Sequence, residues 1–213
     1  MGQVSTVYGM WTLEVLSFMK GQDILLLYKM ASLQVQEKNL LESMEPESRS
    51  SPAPALPSER YSLRALSASI GLSKSEVSNS MARCRESGLL SNDYETGLPR
   101  VNRRELVKIT EHGLKYFFPV KPGAMVRGIP TGFASPALSD RLKSAGGLIL
   151  VWPDAQGTER GQAVEPLYKS VPEAVKQDRT LYDYLALVDA VRLGGPRECG
   201  VAISILKAAM GLK

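Results

Sequence analysis

Apolar residues recur at helical spacing in six stretches of this chain, and Gly, Pro or short polar runs separate them. Gly21–Leu33 carries Ile24, Leu25, Leu27, Tyr28 and Ala31 on a broad apolar face, which predicts a first core helix. Leu63, Leu66 and Ile70 give a second stripe, and Val77, Met81 and Cys84 a third. A fourth runs from Asn102 to Phe118. Two more, Thr180–Leu193 and Arg197–Met210, are separated by Gly194, Gly195 and Pro196, with proline well placed for a first helical turn. Strand character is weaker. The run Leu148–Trp152, bounded by Gly147 and Pro153, reads as a buried strand.

The second and third stripes meet at a tight corner. Gly71 interrupts the helical pattern where a residue without a Cβ can turn left-handed, and Leu72 plugs the corner. Ser73 is suited to accept from the free amides of the next turn, and Glu76 three residues on completes a capping-box pattern. Gly88 ends the second helix ahead of Leu89 and Leu90.

Short helix, glycine corner and capped second helix together resemble the helix-turn-helix of bacterial regulators, in particular the winged-helix (MarR-like) kind. The resemblance rests on Leu66, Ser67, Ile70, Gly71, Leu72, Ser73, Val77, Met81, Cys84, Gly88 and Leu89, and covers about thirty residues directly. Ser67 departs from the alanine usual there but is small enough for close helix crossing. The competing structural account is an ordinary helical hairpin.

The resemblance implies that the second helix lies in the major groove with its outer face on bases and phosphates. With Val77, Met81 and Cys84 inward, the outward set is Lys74, Ser75, Ser78, Asn79, Ala82 and Arg83. Asn79 suits bidentate reading of adenine, Lys74 and Arg83 suit guanine edges or phosphate, and Ser75 and Ser78 suit phosphate. Arg100, Arg103 and Arg104 follow closely and are candidates for backbone contacts.

Around this unit, Gln34–Arg60 ends in a Pro- and Ser-rich run that reads as a flexible insertion at 35–60 between the first two helices. Ser91–Val101 is turn-rich and suits a short wing. Asn102 and Glu105 form a second capping-box pattern; Leu106, Val107, Ile109, Gly113, Leu114, Phe117 and Phe118 then fall on one side of a helix. A continuous helix over 102–118 is favoured over the alternative, in which LVKITEHGLKYF supplies a wing strand and a threonine-capped helix. From Pro119 the texture is irregular, rich in Pro and Gly, and suggests extended segments and turns; a second irregular stretch, GTERGQAVEPLYKSVPEA, precedes the last helix pair.

The expected fold is therefore mainly α: a winged-helix-type domain over 19–118, then an irregular α+β segment over 119–213 ending in a helix pair. Met19 reads as a natural start of the module, making 1–18, with Trp11, Leu13 and Phe18, an N-terminal extension. MGQVST satisfies a myristoylation pattern, but so short a match is not read as lipidation. The segment order after the corner also looks like a family of uncharacterised bacterial regulator-like proteins. That resemblance implies a recurring C-terminal module and no ligand. Arg127 and Arg160 sit beside glycines, a setting that suits an anion or a partner carboxylate; bonding to backbone carbonyls is the favoured account.

Charge sharpens this picture. The net charge of +4 is modest, yet residues 60–127 hold twelve basic against six acidic side chains, while residues 1–59 hold four against seven. The positive excess belongs to the segment with the corner, as phosphate contacts require. Two cysteines some 115 positions apart argue against a disulfide framework, and no apolar run is long enough to span a membrane. One histidine, His112, no Cys/His cluster with metal spacing and no phosphate-cradling glycine motif leave no catalytic residue, metal or cofactor to expect. The expectation is a sequence-specific, cytoplasmic double-stranded DNA binder: a repressor or autoregulator acting as a homodimer. Its rival is a protein-interaction module, such as an antitoxin or defence-system subunit, binding a partner through 119–213.

Overall fold

The computed structural model describes residues 19–43, 57–138 and 149–212. The expected extension at 1–18, residues 44–56 of the expected insertion and the Gly147 boundary lie outside the described residues; the rest of the insertion expected at 35–60 is helical instead, because the first helix runs on to Ser43 and a short helix spans Pro57–Arg60. In order, the elements are α1 (Gly21–Ser43), α2 (Pro57–Arg60), α3 (Leu63–Ile70), α4 (Lys74–Glu86), β1 (Leu90–Asn92), β2 (Pro99–Val101), α5 (Arg103–His112) and α6 (Leu114–Phe117). There follow β3 (Met125–Pro130), a 3-10 turn (Gly132–Ala134), β4 (Leu150–Pro153), β5 (Glu159–Ala163), α7 (Val171–Gln177), α8 (Arg179–Leu193) and α9 (Pro196–Ala209). The fold is mainly helical with a small sheet content.

The corner forms as its residues dictate. Ser62 caps α3 by accepting from the Ala65 amide at 3.1 Å, and Ser73 caps α4 by accepting from Glu76 at 3.2 Å. Gly71 between them has φ +66°, a conformation that costs a residue with a Cβ roughly 1 kcal/mol or more. Gly88 takes φ +73° and sends the chain into β1. Leu66, Ile70, Leu72, Val77, Met81 and Cys84 are buried together, whereas Leu63, expected in the stripe, is 40% exposed at the helix start.

β1 and β2 pair antiparallel, Leu90 opposite Val101 and Asn92 opposite Pro99, and make the wing. Asp93 folds its tip by accepting from the Thr96 amide (2.9 Å) and hydroxyl (2.8 Å). Asn102 then caps α5 through the Glu105 amide. The helix is not continuous to Phe118: it breaks at Gly113, and α6 restarts for one turn. The alternative with a wing strand inside LVKITEHGLKYF is also overturned, because that strand lies earlier, at Pro99–Val101. Phe117, expected on the buried side, is 76% exposed after this break.

The first half of α1 is buried all round, and its last turns, from Lys38, are exposed. Ile24, Leu25, Leu26, Leu27, Tyr28, Met30 and Ala31 have no exposed surface, because α3, α4 and β2 pack on the helix and so does α8. One hydrophobic cluster runs through both sides of Phe118, from Ile24 to Met210. The division expected at 118/119 is thus no gap in the packing.

The Pro/Gly-rich segment contains more order than its composition suggests. β3 pairs antiparallel with β5 through Met125–Gly128 and with β4 through Gly128–Pro130, while β4 and β5 run parallel, closing a three-stranded barrel. Closure brings backbones together: a Cβ on Gly128 would stand 2.0 Å from the Trp152 carbonyl oxygen. Trp152 Nε1 and Thr131 Oγ1 donate to the buried Asp189 of α8, at 2.6 and 2.9 Å, and Arg192 Nη1 donates to its other oxygen at 2.6 Å. This buried cluster fixes the barrel on α8. Val171–Ala174, the end of the stretch read as irregular from the sequence, opens the helix α7, which runs to Gln177.

Candidate nucleic-acid interface

α4 presents two faces. Val77, Ser80, Met81 and Cys84 turn into the core. Lys74, Ser75, Ser78, Asn79 and Ala82 are exposed, where the sequence places them. Arg83 is elsewhere. Its Nε and Nη2 donate to Asp23 of α1 at 2.8 and 2.6 Å, and Nη2 also donates to Glu76 at 2.8 Å. Its side chain is only 11% exposed, so the expected outward, groove-facing placement of Arg83 is corrected. The reason is helical phase: Glu76, Ser80 and Arg83 recur at i, i+4 and i+7 and form a stripe against the N-terminus of α1. Burial makes the pairing tight, and the Asp23 hydrogen bond holds the Arg83 guanidinium above its ordinary range.

The same phase puts Arg85 outside. Ser78, Ala82 and Arg85 share the i, i+4, i+7 relation, and all three are exposed. Arg85 Nη2 donates to Asn92 Oδ1 of the wing at 3.3 Å, linking α4 to β1. This residue was missed in the sequence although its spacing from Ser78 marks it.

The acid in the first turn of α4 is drawn inward. Glu76 Oε1 accepts from Gln22 Nε2 as well as from Arg83, rather than serving the expected capping box. The exposed face from Lys74 to Ala82 is therefore made of one cation, hydroxyls and an amide. Glu86 is exposed only at the far end.

The three later arginines divide. Arg100 Nη1 donates to Glu37 at 2.9 Å, with Asp93 at 4.0 Å, and its side chain is one-third exposed. Arg103 Nη1 donates to the Met210 carbonyl at 2.7 Å and ties α5 to the end of α9. Arg104 alone of the three is exposed, and its side chain makes no hydrogen bond among the described residues. It stands near the C-terminal end of α4, because the Asn102 amide beside it donates to Leu89 O at 2.9 Å. At the wing tip Tyr94 is fully exposed.

Remaining chemistry is sparse among the described residues. Burial pushes the Cys84 thiol up to about 12, so it stays neutral, and both cysteines are free. His112 is 73% exposed, 3.9 Å from Glu111. No group of acids, histidines and cysteines there has metal-holding geometry, and no described helix is long and apolar enough to cross a membrane. A scan of protein-family models finds no match to this chain, and searches of curated proteins and of solved structures find none either.

Proposed function

We propose that the chain is a sequence-specific double-stranded DNA-binding protein of the winged helix-turn-helix kind, a cytoplasmic repressor or autoregulator acting as a homodimer. One observation carries the reading: the outer face of α4, with Lys74, Ser75, Ser78, Asn79 and Ala82, is open, and the nearby Glu76 carboxylate is engaged by Arg83 and Gln22. A helix of this kind fits the major groove, where Asn79 reads an adenine edge and Lys74 meets guanine or phosphate. Arg85, on the exposed side of α4, and Arg104, at the start of α5, neutralise phosphates; they take the role expected of Arg83. The basic excess of residues 60–127 supplies the sequence-independent part of the affinity.

The test is fluorescence anisotropy on duplexes from the chain's own upstream region and on random duplexes. Asn79→Ala should weaken the specific duplex by roughly 5- to 150-fold, the worth of one good bidentate pair, and leave the random one unchanged. Lys74→Ala and Arg104→Ala should weaken both and lower the salt slope by about 1 each. Wild-type protein that binds neither duplex at low salt sinks the reading.

A second reading, a protein-interaction module such as an antitoxin or defence-system subunit, draws on Tyr116 and Phe117 of α6, which are 73% and 76% exposed side by side. Under it, Phe117→Ser abolishes recovery of a partner from the native host, and the α4 substitutions change nothing.

A further inference from the structure

The barrel rim carries a feature that DNA reading by α4 does not use. In the β3–β5 ladder Arg127 stands directly opposite Arg160, so the two side chains leave the same face of the ribbon with Cβ atoms about 5 Å apart. Like charges in that relation repel, and adjacent-strand positions ordinarily avoid them. The surroundings do not relieve the repulsion. Lys176 and Arg179 each have a carboxylate partner; Arg127 and Arg160 have no ion-pair partner among the described residues. Arg127 Nη1 reaches the Gly157 carbonyl oxygen, but at 3.4 Å, and its other donors remain. Both residues are exposed, beside a recess of about 370 Å³ lined by Met125, Val126, Arg127, Thr158, Glu159 and Arg160. Glu159, opposite Gly128 in the register and one place on, also lines the recess but makes no ion pair with either arginine among the described residues.

We infer that this recess binds a phosphoryl group, clamped between the two guanidiniums. A phosphate monoester carries close to two negative charges at neutral pH and offers three oxygens that are not coplanar. Two guanidinium forks meeting from opposite strands match that charge and shape. A single carboxylate is already satisfied by one fork. The Thr158 hydroxyl supplies a neutral donor at the edge of the recess. The phosphoryl group comes either from a free phosphate-bearing molecule or from a duplex backbone, and the same variants separate these sources.

The experiment follows thermal unfolding of the full chain in inorganic pyrophosphate and in chloride at equal ionic strength. Pyrophosphate at a hundredfold excess over its Kd should raise the wild-type midpoint by roughly 5–10 °C. Arg127→Gln and Arg160→Thr should each lose that rise. In low-salt chloride Arg160→Thr should melt at or above the wild type, because a repulsive pair is gone; an arginine with a merely structural role would melt lower. Random-duplex affinity gives the source: unchanged in both variants means a free phosphate, and a salt slope lower by about 1 in each means a backbone phosphate. The inference is overturned if pyrophosphate gives the wild type no rise over chloride, or if both variants keep that rise in full.

Discussion

Replacing Arg83 separates two roles that its sequence position leaves open, because a groove-facing arginine and a core-pairing arginine fail in different assays. The Asp23 carboxylate has no exposed surface and accepts four hydrogen bonds: from Ser80 Oγ (2.6 Å), Arg83 Nε (2.8 Å), Arg83 Nη2 (2.6 Å) and the Lys20 amide (2.8 Å). Arg83→Ala removes two of these and the countercharge together. Breaking a buried pair by deleting one partner costs about 3–5 kcal/mol. The lower end applies, since Ser80 and Lys20 still solvate the carboxylate and the Arg83 side chain is 11% exposed. For a chain of this length each kcal/mol moves the midpoint by about 2–4 °C, so a loss of roughly 6–12 °C follows. The double variant Asp23→Asn with Arg83→Met should recover part of the deficit, a coupling of about 1–3 kcal/mol. Calorimetry or circular dichroism reads the midpoints, and anisotropy on duplex DNA at low temperature reads the second role. If Arg83→Ala melts within 2 °C of wild type yet loses DNA affinity tenfold, the inward pairing is wrong.

Two further outcomes follow from the same geometry. Gly71→Ala should cost about 1–3 kcal/mol by urea unfolding, because a Cβ there is left-handed and lies 2.9 Å from Ser170 Cβ; Gly88→Ala, with φ +73° but nothing within 4 Å, should cost less, and equal losses would refute the contact. At Asp178, burial pushes the carboxyl up, but hydrogen bonds from Lys29, the Leu181 amide and Ser32 and the charge of Lys29 outweigh it and leave it below its ordinary value. A depressed carboxyl stabilises the fold fully above about pH 4 and loses that contribution as the pH falls further. Asp178→Asn should therefore be clearly less stable than wild type at pH 7, with the gap narrowing toward pH 3; a constant gap would contradict it.

Where a residue's role is set by neighbours in sequence, it was legible. Ser73 and Asn102 cap their helices through amides three residues on, and Gly71 takes the left-handed turn its place between two stripes demands. The exposed row Lys74, Ser75, Ser78, Asn79 and Ala82 follows from the buried row on the same helix. Arg83 was misplaced because its partner Asp23 lies sixty residues earlier, and polarity alone does not show which side of a helix a cation takes. β5 was missed for a different reason. Glu159–Ala163, ERGQA, has no alternating apolar pattern; it is a strand because β3 and β4 supply its hydrogen bonds.

α1 shows how one helix hides its own pattern. Its apolar residues surround it, so no amphipathic stripe stands out. Its polar residues carry the information instead. At 100° per residue, Lys29, Ser32 and Gln36 cluster on one side, and Asp23 lies roughly opposite them. Asp23 holds Ser80 and Arg83 of α4. Lys29, Ser32 and Gln36 donate to Asp178, which also caps α8 through the Leu181 amide. Each buried charge on this helix thus points at the element that neutralises it, α4 on one side and the start of α8 on the other. A carboxylate or ammonium without such a partner would not be tolerated at that depth. The orientation of α4 relative to the C-terminal helices is consequently set through α1, and the boundary at Phe118 divides the sequence without dividing the core.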